Sequence, residues 1–163
     1  MLMDRVVVLG LGNTLQRDDG VGVHAIRWLQ QFERSFSERV NFVDGGTISF
    51  PLLEIIEDAE RLVVVDAVIL GGDPGEISVF EGSAMDTLLA RHGAGSVHEV
   101  SLSELFGMAR LRGYLPPYRA LVGIEPQVLG WSETLSPVVA ASLPGVARAI
   151  GRLLDGWDVE RTQ

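Results

Sequence analysis

Val6-Val7-Val8-Leu9-Gly10-Leu11-Gly12-Asn13-Thr14-Leu15-Gln16-Arg17-Asp18-Asp19-Gly20-Val21-Gly22 decides the fold class. Residues 6–9 are β-branched or aliphatic on every position, the pattern of a strand buried on both faces. Gly10 stops the run, and from Val21 the apolar residues Ala25, Trp28, Leu29, Phe32 and Phe36 follow at helical spacing. Asp18 or Asp19 is placed to cap that helix. The unit recurs. Residues 40–43 form a second strand, ended by Asp44-Gly45-Gly46, and Pro51 suits the first turn of a helix to about residue 58. Leu62-Val63-Val64-Val65 is a third buried strand, closed by Asp66. Residues 76–81 alternate weakly, as an edge strand does.

Ser101-Leu102-Ser103-Glu104 is a capping box ahead of Leu105, Met108 and Leu111. Residues 120–124 form a last buried strand, ended by Glu125-Pro126. Ser136-Pro137 opens a C-terminal helix with the stripe Val139, Leu143, Val146, Ile150 and Leu153, which Pro144 should kink or split. Strands alternating with helices specify an α/β domain, a three-layer sandwich. Its twisted, mostly parallel sheet of about five strands has helices on both faces. Residues 1–163 are expected to form one domain, with the polar stretch 155–163 fraying.

Composition narrows the function. The chain has 163 residues, 47% of them hydrophobic, enough for a core without staples. Thirteen basic against twenty-two acidic residues give a net charge of −9, which argues against a nucleic-acid partner. There are no cysteines, so disulfides, zinc-thiolate sites and a cysteine nucleophile are excluded. The start lacks the basic front and long apolar run of a signal peptide, and no stretch reads as a membrane span. A cytoplasmic location without membrane insertion is the expectation.

In open α/β sheets, ligands bind at the carboxyl ends of the strands. The polar residues of the loops 10–20, 44–47, 66–75 and 125–127 are therefore the candidates. Gly10-Leu11-Gly12 resembles a dinucleotide turn, but Leu15 stands where a third glycine is required, and no Walker lysine is present. The turn is better read as a tight backbone bend, with Asn13 bonding neighbouring main-chain groups. Asp18 and Asp19 adjoin each other at the mouth of the sheet: one can cap, the other can act as hard oxygen ligand or general base. Asp66 ends an apolar strand, where a carboxylate needs a partner or a ligand. Of three histidines, His24 lies inside the first helix on its polar side and is expected to be solvated. His92 and His98 flank a Gly-rich loop, and spacing does not rank one above the other. Two carboxylates and an imidazole would suit nickel, zinc or manganese. No Gly-x-Ser-x-Gly elbow and no His-Glu-x-x-His motif is present.

The run from Gly10 to Gly22 strongly resembles the opening motif of the [NiFe]-hydrogenase maturation endopeptidases. Asp44-Gly45-Gly46-Thr47, Val65-Asp66-Ala67, Ser96-x-His98, residues 102–105 and Val122-Gly123-Ile124-Glu125-Pro126 match in the family's order, and the likeness covers about residues 5–154. The resemblance implies a twisted, mainly parallel sheet flanked by helices. It also implies removal of a C-terminal extension from the hydrogenase large-subunit precursor once nickel is installed, with the metal as recognition signal. The family's three nickel positions fall on Asp19, Asp66 and His98, with Asp19 standing where Glu is frequent. Asp44 corresponds to an aspartate near the site, and Asn13, Asp18, Gly45 and Gly46 are expected to position substrate. The nickel would arrive with the precursor, with zinc, cadmium or another divalent ion able to replace it in vitro, and Asp19 or Asp66 would act as base. Loops at 71–75 and 93–95, and the segment 114–118, are candidate contacts for a folded precursor. Two alternatives stand beside this reading. One is a nickel-binding maturation chaperone that does not cut. The other is a nucleoside or nucleotide enzyme on a similar scaffold.

Overall fold

The computed structural model describes residues 5–36, 39–92 and 100–163. Five strands form one sheet: β1 (Val6–Leu11), β2 (Val40–Gly46), β3 (Arg61–Ala67), β4 (Ile77–Glu81) and β5 (Tyr118–Ile124). Their order is β2-β1-β3-β5-β4. β1 pairs in parallel with β2 and β3, and β3 with β5; only the edge strand β4 runs antiparallel, against β5. The helices are α1 (Val21–Phe32), α2 (Leu52–Asp58), α3 (Ser83–His92), α4 (Leu102–Arg112), α5 (Pro137–Ala140) and α6 (Leu143–Thr162).

Period-two alternation sorts the strand side chains into two cores. Val6, Val8, Val63, Val65, Ala120 and Val122 face α1 and α6, which bring Val21, Ala25, Ile26, Val146, Ile150 and Leu153. Val7, Leu9, Leu62, Val64 and Leu121 face α2, α3 and α4, which bring Ile56, Met85, Leu105 and Phe106. This is the three-layer α/β architecture that the strand runs predict.

Glycines let α1 settle against the sheet. A Cβ on Gly10 would lie 2.3 Å from the Gly22 carbonyl oxygen, and one on Gly22 would lie 2.1 Å from that of Val65. The Gly10–Gly22 motif is thus a close-packing device between β1 and α1.

Two expectations are corrected and one element is added. α3 was not visible in the pattern of the chain. The stripe of α4 runs through Leu102, Leu105, Phe106 and Ala109, leaving Leu111 exposed. Residues 155–163 are not an irregular tail: α6 continues to Thr162. Trp157 is buried there, its ring 5.9 Å from that of Tyr118 and its Nε1–H donating to Glu81 at 2.9 Å. Next to it, Asp158 pairs with the buried Arg61 at 2.8 Å. Pro144 splits the C-terminal helix as expected, sitting in the first turn of α6. The stretch Pro137–Thr162 is long and apolar enough to cross a membrane by length and composition. Its apolar face, Val139 through Trp157, is spent on the core beside α1.

Candidate active site

The strand order places a topological switch point between β1 and β3. The chain leaves β1 for β2 on one side and then returns to β3 on the other, so the connections diverge at the carboxyl ends of these two strands. Such a crevice is where open α/β sheets bind ligands. Asp19 follows β1 in a 3-10 turn, Arg17–Gly20, and Asp66 is the sixth residue of β3, in register with Gly123 of β5.

Asp19 is part-buried, and its Oδ2 accepts the Asn13 N–H at 3.0 Å. Asn13 Oδ1 accepts the Leu15 N–H at 3.0 Å, so the loop after β1 is cross-braced onto the carboxylate. Gly12 makes the bend, with φ +136° and its N–H donating to the Gly46 carbonyl at 2.8 Å. Asp66 Oδ1 accepts the N–H of Ala67 at 2.8 Å. Burial and the neighbouring charge of Asp19 push the Asp66 carboxyl up to about 7, against which the Ala67 bond works only in part. Among the described residues, no basic side chain pairs with Asp19 or Asp66. Two carboxylates held close enough to repel, at the edge of a dry strand, form a seat for a cation or a proton.

Asp18 has a different task from the capping role expected for one of the pair. Gly20 is the N-cap of α1, and neither carboxylate caps it. Asp18 is fully buried and takes four bonds. They come from the N–H groups of Gln127 and Val128, both at 2.9 Å, and from the N–H and Oγ–H of Ser136 at 2.8 and 2.7 Å. Burial alone would raise its pKa, but these donors outweigh burial and hold it below the usual carboxylate value. Asp18 therefore ties the β5–α5 loop to the turn that carries Asp19. Further bonds from Ser132 N–H to the Leu15 carbonyl at 3.0 Å, and from Arg17 N–H to the Ser132 carbonyl at 2.9 Å, close the same seam.

Asp44, Gly45 and Gly46 form the neighbouring wall. Asp44 Oδ1 accepts the Gly46 N–H at 3.1 Å, and Oδ2 receives Arg27 at 3.4 Å in a half-exposed pair. A Cβ on Gly45 would press to 2.8 Å on Leu9 and Leu11.

His24 is not solvated as expected. It is part-buried, with Nε2 enclosed and lacking a partner, and burial followed by the charge of Arg27 lowers its pKa. His98 lies outside the described residues, as does the loop at 93–95. Among the described residues no group of three or more acidic or imidazole side chains is gathered as a metal site. The segment 114–118 leads into the amino end of β5 and so lies at the opposite edge from Asp19 and Asp66.

Two roles were not assigned from the sequence, although residues 125–127 were among its candidate loops. Glu125 is nearly buried, accepting the N–H groups of Leu70 at 2.8 Å and Gly71 at 3.3 Å. With Val68, Leu70, Gly71, Glu76 and Ser78 it lines a cavity of about 230 Å³ at the same sheet edge. The signal was the strand-end Ile124-Glu125-Pro126, whose acidic residue meets a loop 55 residues away. The second is Ser136, whose part in holding Asp18 depends on a contact across 118 residues.

The chain is similar to proteins of hydrogenase assembly over nearly its whole length. The hydrogenase maturation protease family, HycI, matches residues 23–153. The hydrogenase expression/formation protein HupD of Rhodobacter capsulatus is 32% identical over 162 residues, spanning 98% of this chain and 76% of that protein. The hydrogenase 2 maturation protease of Escherichia coli (strain K12) is 28% identical over 151 residues, 91% of this chain and 90% of its own. The solved structure of the hydrogenase maturating endopeptidase HybD from E. coli superposes with a TM-score of 0.80 at 25% identity, covering 93% of each chain. A hydrogenase 2 maturation peptidase from Thaumarchaeota archaeon SCGC_AB-539-E09 superposes at 0.69 with 31% identity, over 92% of this chain and 97% of that one. By the family match and the HupD relative alike, the chain belongs to the hydrogenase maturation protease family and is a peptide hydrolase.

Proposed function

We propose that this chain removes the C-terminal extension of a [NiFe]-hydrogenase large-subunit precursor after nickel insertion, and that Asp19, Asp66 and His98 read the nickel that the precursor brings. One observation carries the reading: a carboxylate from the turn after β1 and one from the end of β3 feel each other's charge at the switch point, without a basic partner among the described residues. A divalent cation on the substrate relieves their repulsion, which makes docking conditional on the metal. The assignment of His98 rests on the sequence resemblance. A chain without cysteines has no thiolate to strip nickel from the precursor's own ligands, which suits a reader of the metal better than a carrier.

With the precursor seated, its scissile carbonyl lies beside the two carboxylates. Water adds to the carbonyl carbon while Asp19 or Asp66 takes its proton. The carboxyl then returns that proton to the amide nitrogen as the C–N bond breaks, releasing the extension with a new amine terminus. Asp18 and Asn13 fix the turn that aims Asp19, so the base is preorganised.

The test is single alanine substitution at Asp19, Asp66 and His98, read as the mass of the precursor's C-terminal tail. Each variant is expected to leave a nickel-loaded precursor uncut while folding normally. Intact processing in all three would overturn the proposal.

A further inference from the structure

Trp131 is 83% exposed on the loop between β5 and α5, although an indole is the side chain with most to gain from burial. Slack in the loop does not account for it. The backbone on both sides is fixed, by Asp18 at Gln127, Val128 and Ser136 and by the bridge between Gln16 and Ser132. The other two tryptophans have internal partners: Trp28 packs on Phe32 and Trp157 on Tyr118. Leu129 on the same loop is 50% exposed, and Leu15, whose carbonyl accepts the Ser132 N–H, is 47% exposed. Leu15 is in turn bonded to Asn13, and Asn13 to Asp19. A chain of hydrogen bonds thus runs from the site carboxylate to the residue next to the exposed indole.

We propose that Trp131, flanked by Leu129 and Leu15, is the anchor on which the large-subunit precursor docks. It would enter an apolar recess on the precursor's folded body rather than bind the extension to be removed. The inference rests on the proposed processing function. Continuity of the surface commits the occupant: a protein whose peptide reaches Asp19 covers Leu15 and the loop bonded to it. Tryptophan on a rigid loop is the type of side chain that dominates binding energy, because little ordering is lost on contact. The contact is apolar, so it complements the −9 chain without depending on charge.

The experiment uses the full chain, a cognate nickel-loaded precursor, and the variants Trp131→Ala and Trp131→Phe. Trp131→Ala is expected to raise the KM for precursor about tenfold or more, with the loss confined to KM. Trp131→Phe should recover part of it. Thermal midpoints of both variants should match the parent, since the side chain lies outside the core. In parallel, Trp fluorescence of the parent chain is followed on rapid mixing with nickel-loaded precursor, in the phase before cleavage. The expected result is a blue shift that vanishes when Trp131→Phe is added. A KM within twofold of the parent, or binding without a shift, would overturn the proposal. So would a concentration-dependent dimer of the parent chain that Trp131→Ala dissolves, which would make the occupant a second copy. Failure of the parent to cut a verified precursor would sink the processing function instead; a Trp131-dependent shift in that case still supports docking. Neither cutting nor binding would overturn both.

Discussion

At the amino-terminal edge of the sheet acidic side chains are met by arginines or, at Glu81, by the Trp157 indole N–H, whereas at the carboxyl-terminal edge they are met by backbone N–H groups, by the Ser136 hydroxyl or by one another's charge. Asp86 receives Arg119 through two bonds of 2.9 and 2.7 Å and Arg110 through a third of 2.7 Å, and this hydrogen bonding raises the Arg119 pKa further. Arg61 meets Asp158, Arg112 meets Glu57 and Arg5 meets Asp58. At the other edge Asp18 accepts three main-chain N–H groups and the Ser136 hydroxyl, Glu125 accepts two main-chain N–H groups, and Asp66 feels the charge of Asp19. The first edge neutralises its charges and gains stability. The second holds negative charge in place on a rigid frame, as a site that receives a cation must. Asp44 with Arg27 is the exception, a long and half-exposed pair on the rim.

This contrast can be broken residue by residue. The largest effect is expected from Asp66→Asn, which removes charge with little change of shape; processing should fall by about 10²–10⁴-fold, the range for loss of a general base. The check is a single-turnover assay on the precursor. Asp18→Ala comes next. It strands three backbone donors and a hydroxyl, and should lower stability by about 3 kcal/mol in urea unfolding. Activity should fall with it, because the turn that carries Asp19 loses its tie.

The pH profile of the metal-free chain sharpens the comparison. Asp66 ionises at about 7 when folded against an ordinary 3.8, so between those values the native state keeps a proton that the unfolded chain has lost. Stability should therefore fall as pH rises from about 4 to 7, by at most about 1.4 kcal/mol per unit, and level off above. Asp66→Asn should flatten that window. Asp18 works in the opposite sense. Its lowered pKa gives stability that is present above 3.8 and lost as pH falls through the depressed value. Urea midpoints from pH 2 to 8, taken with chelator present, read both, Asp18 below pH 3.8 and Asp66 above it; superimposable profiles for parent and Asp66→Asn would contradict the coupling. At the amino edge, Asp86→Ala should cost about 1–2 kcal/mol of stability and leave KM and kcat for the precursor unchanged. Arg27→Ala, on the exposed rim, should change stability by less than about 1 kcal/mol.

The buried strands were legible because residues 6–9, 62–65 and 120–124 are apolar on both faces, a pattern that only a covered parallel sheet explains. The capping box at Ser101 and Glu104 forms as written, with both reciprocal bonds present. α3 was not legible, since among its described side chains Met85 alone is fully buried and the remaining pattern is mixed. The last turns of α6 were hidden by charge: Asp155, Asp158 and Glu160 surround a spacing that places Leu153, Leu154 and Trp157 inward. The position of Asp19 and Asp66 was legible because one comes after an apolar strand and the other closes an apolar run, and strands of a parallel sheet end together. The separate fates of Asp18 and Asp19 were not. They are adjacent in the chain, and what divides them is a set of donors 109 to 118 residues away. Exposure of Trp131 was likewise invisible, since an indole in a loop reads the same whether it folds inward or stands in water.

The central claim is that the unneutralised carboxyl edge reads a metal carried by its substrate. The most direct measurement is a processing assay on one cognate precursor prepared with and without nickel, followed by the mass of its C-terminal tail. The predicted result is cleavage of the nickel-loaded form alone, abolished by Asp66→Asn. Equal cleavage of both forms would contradict it.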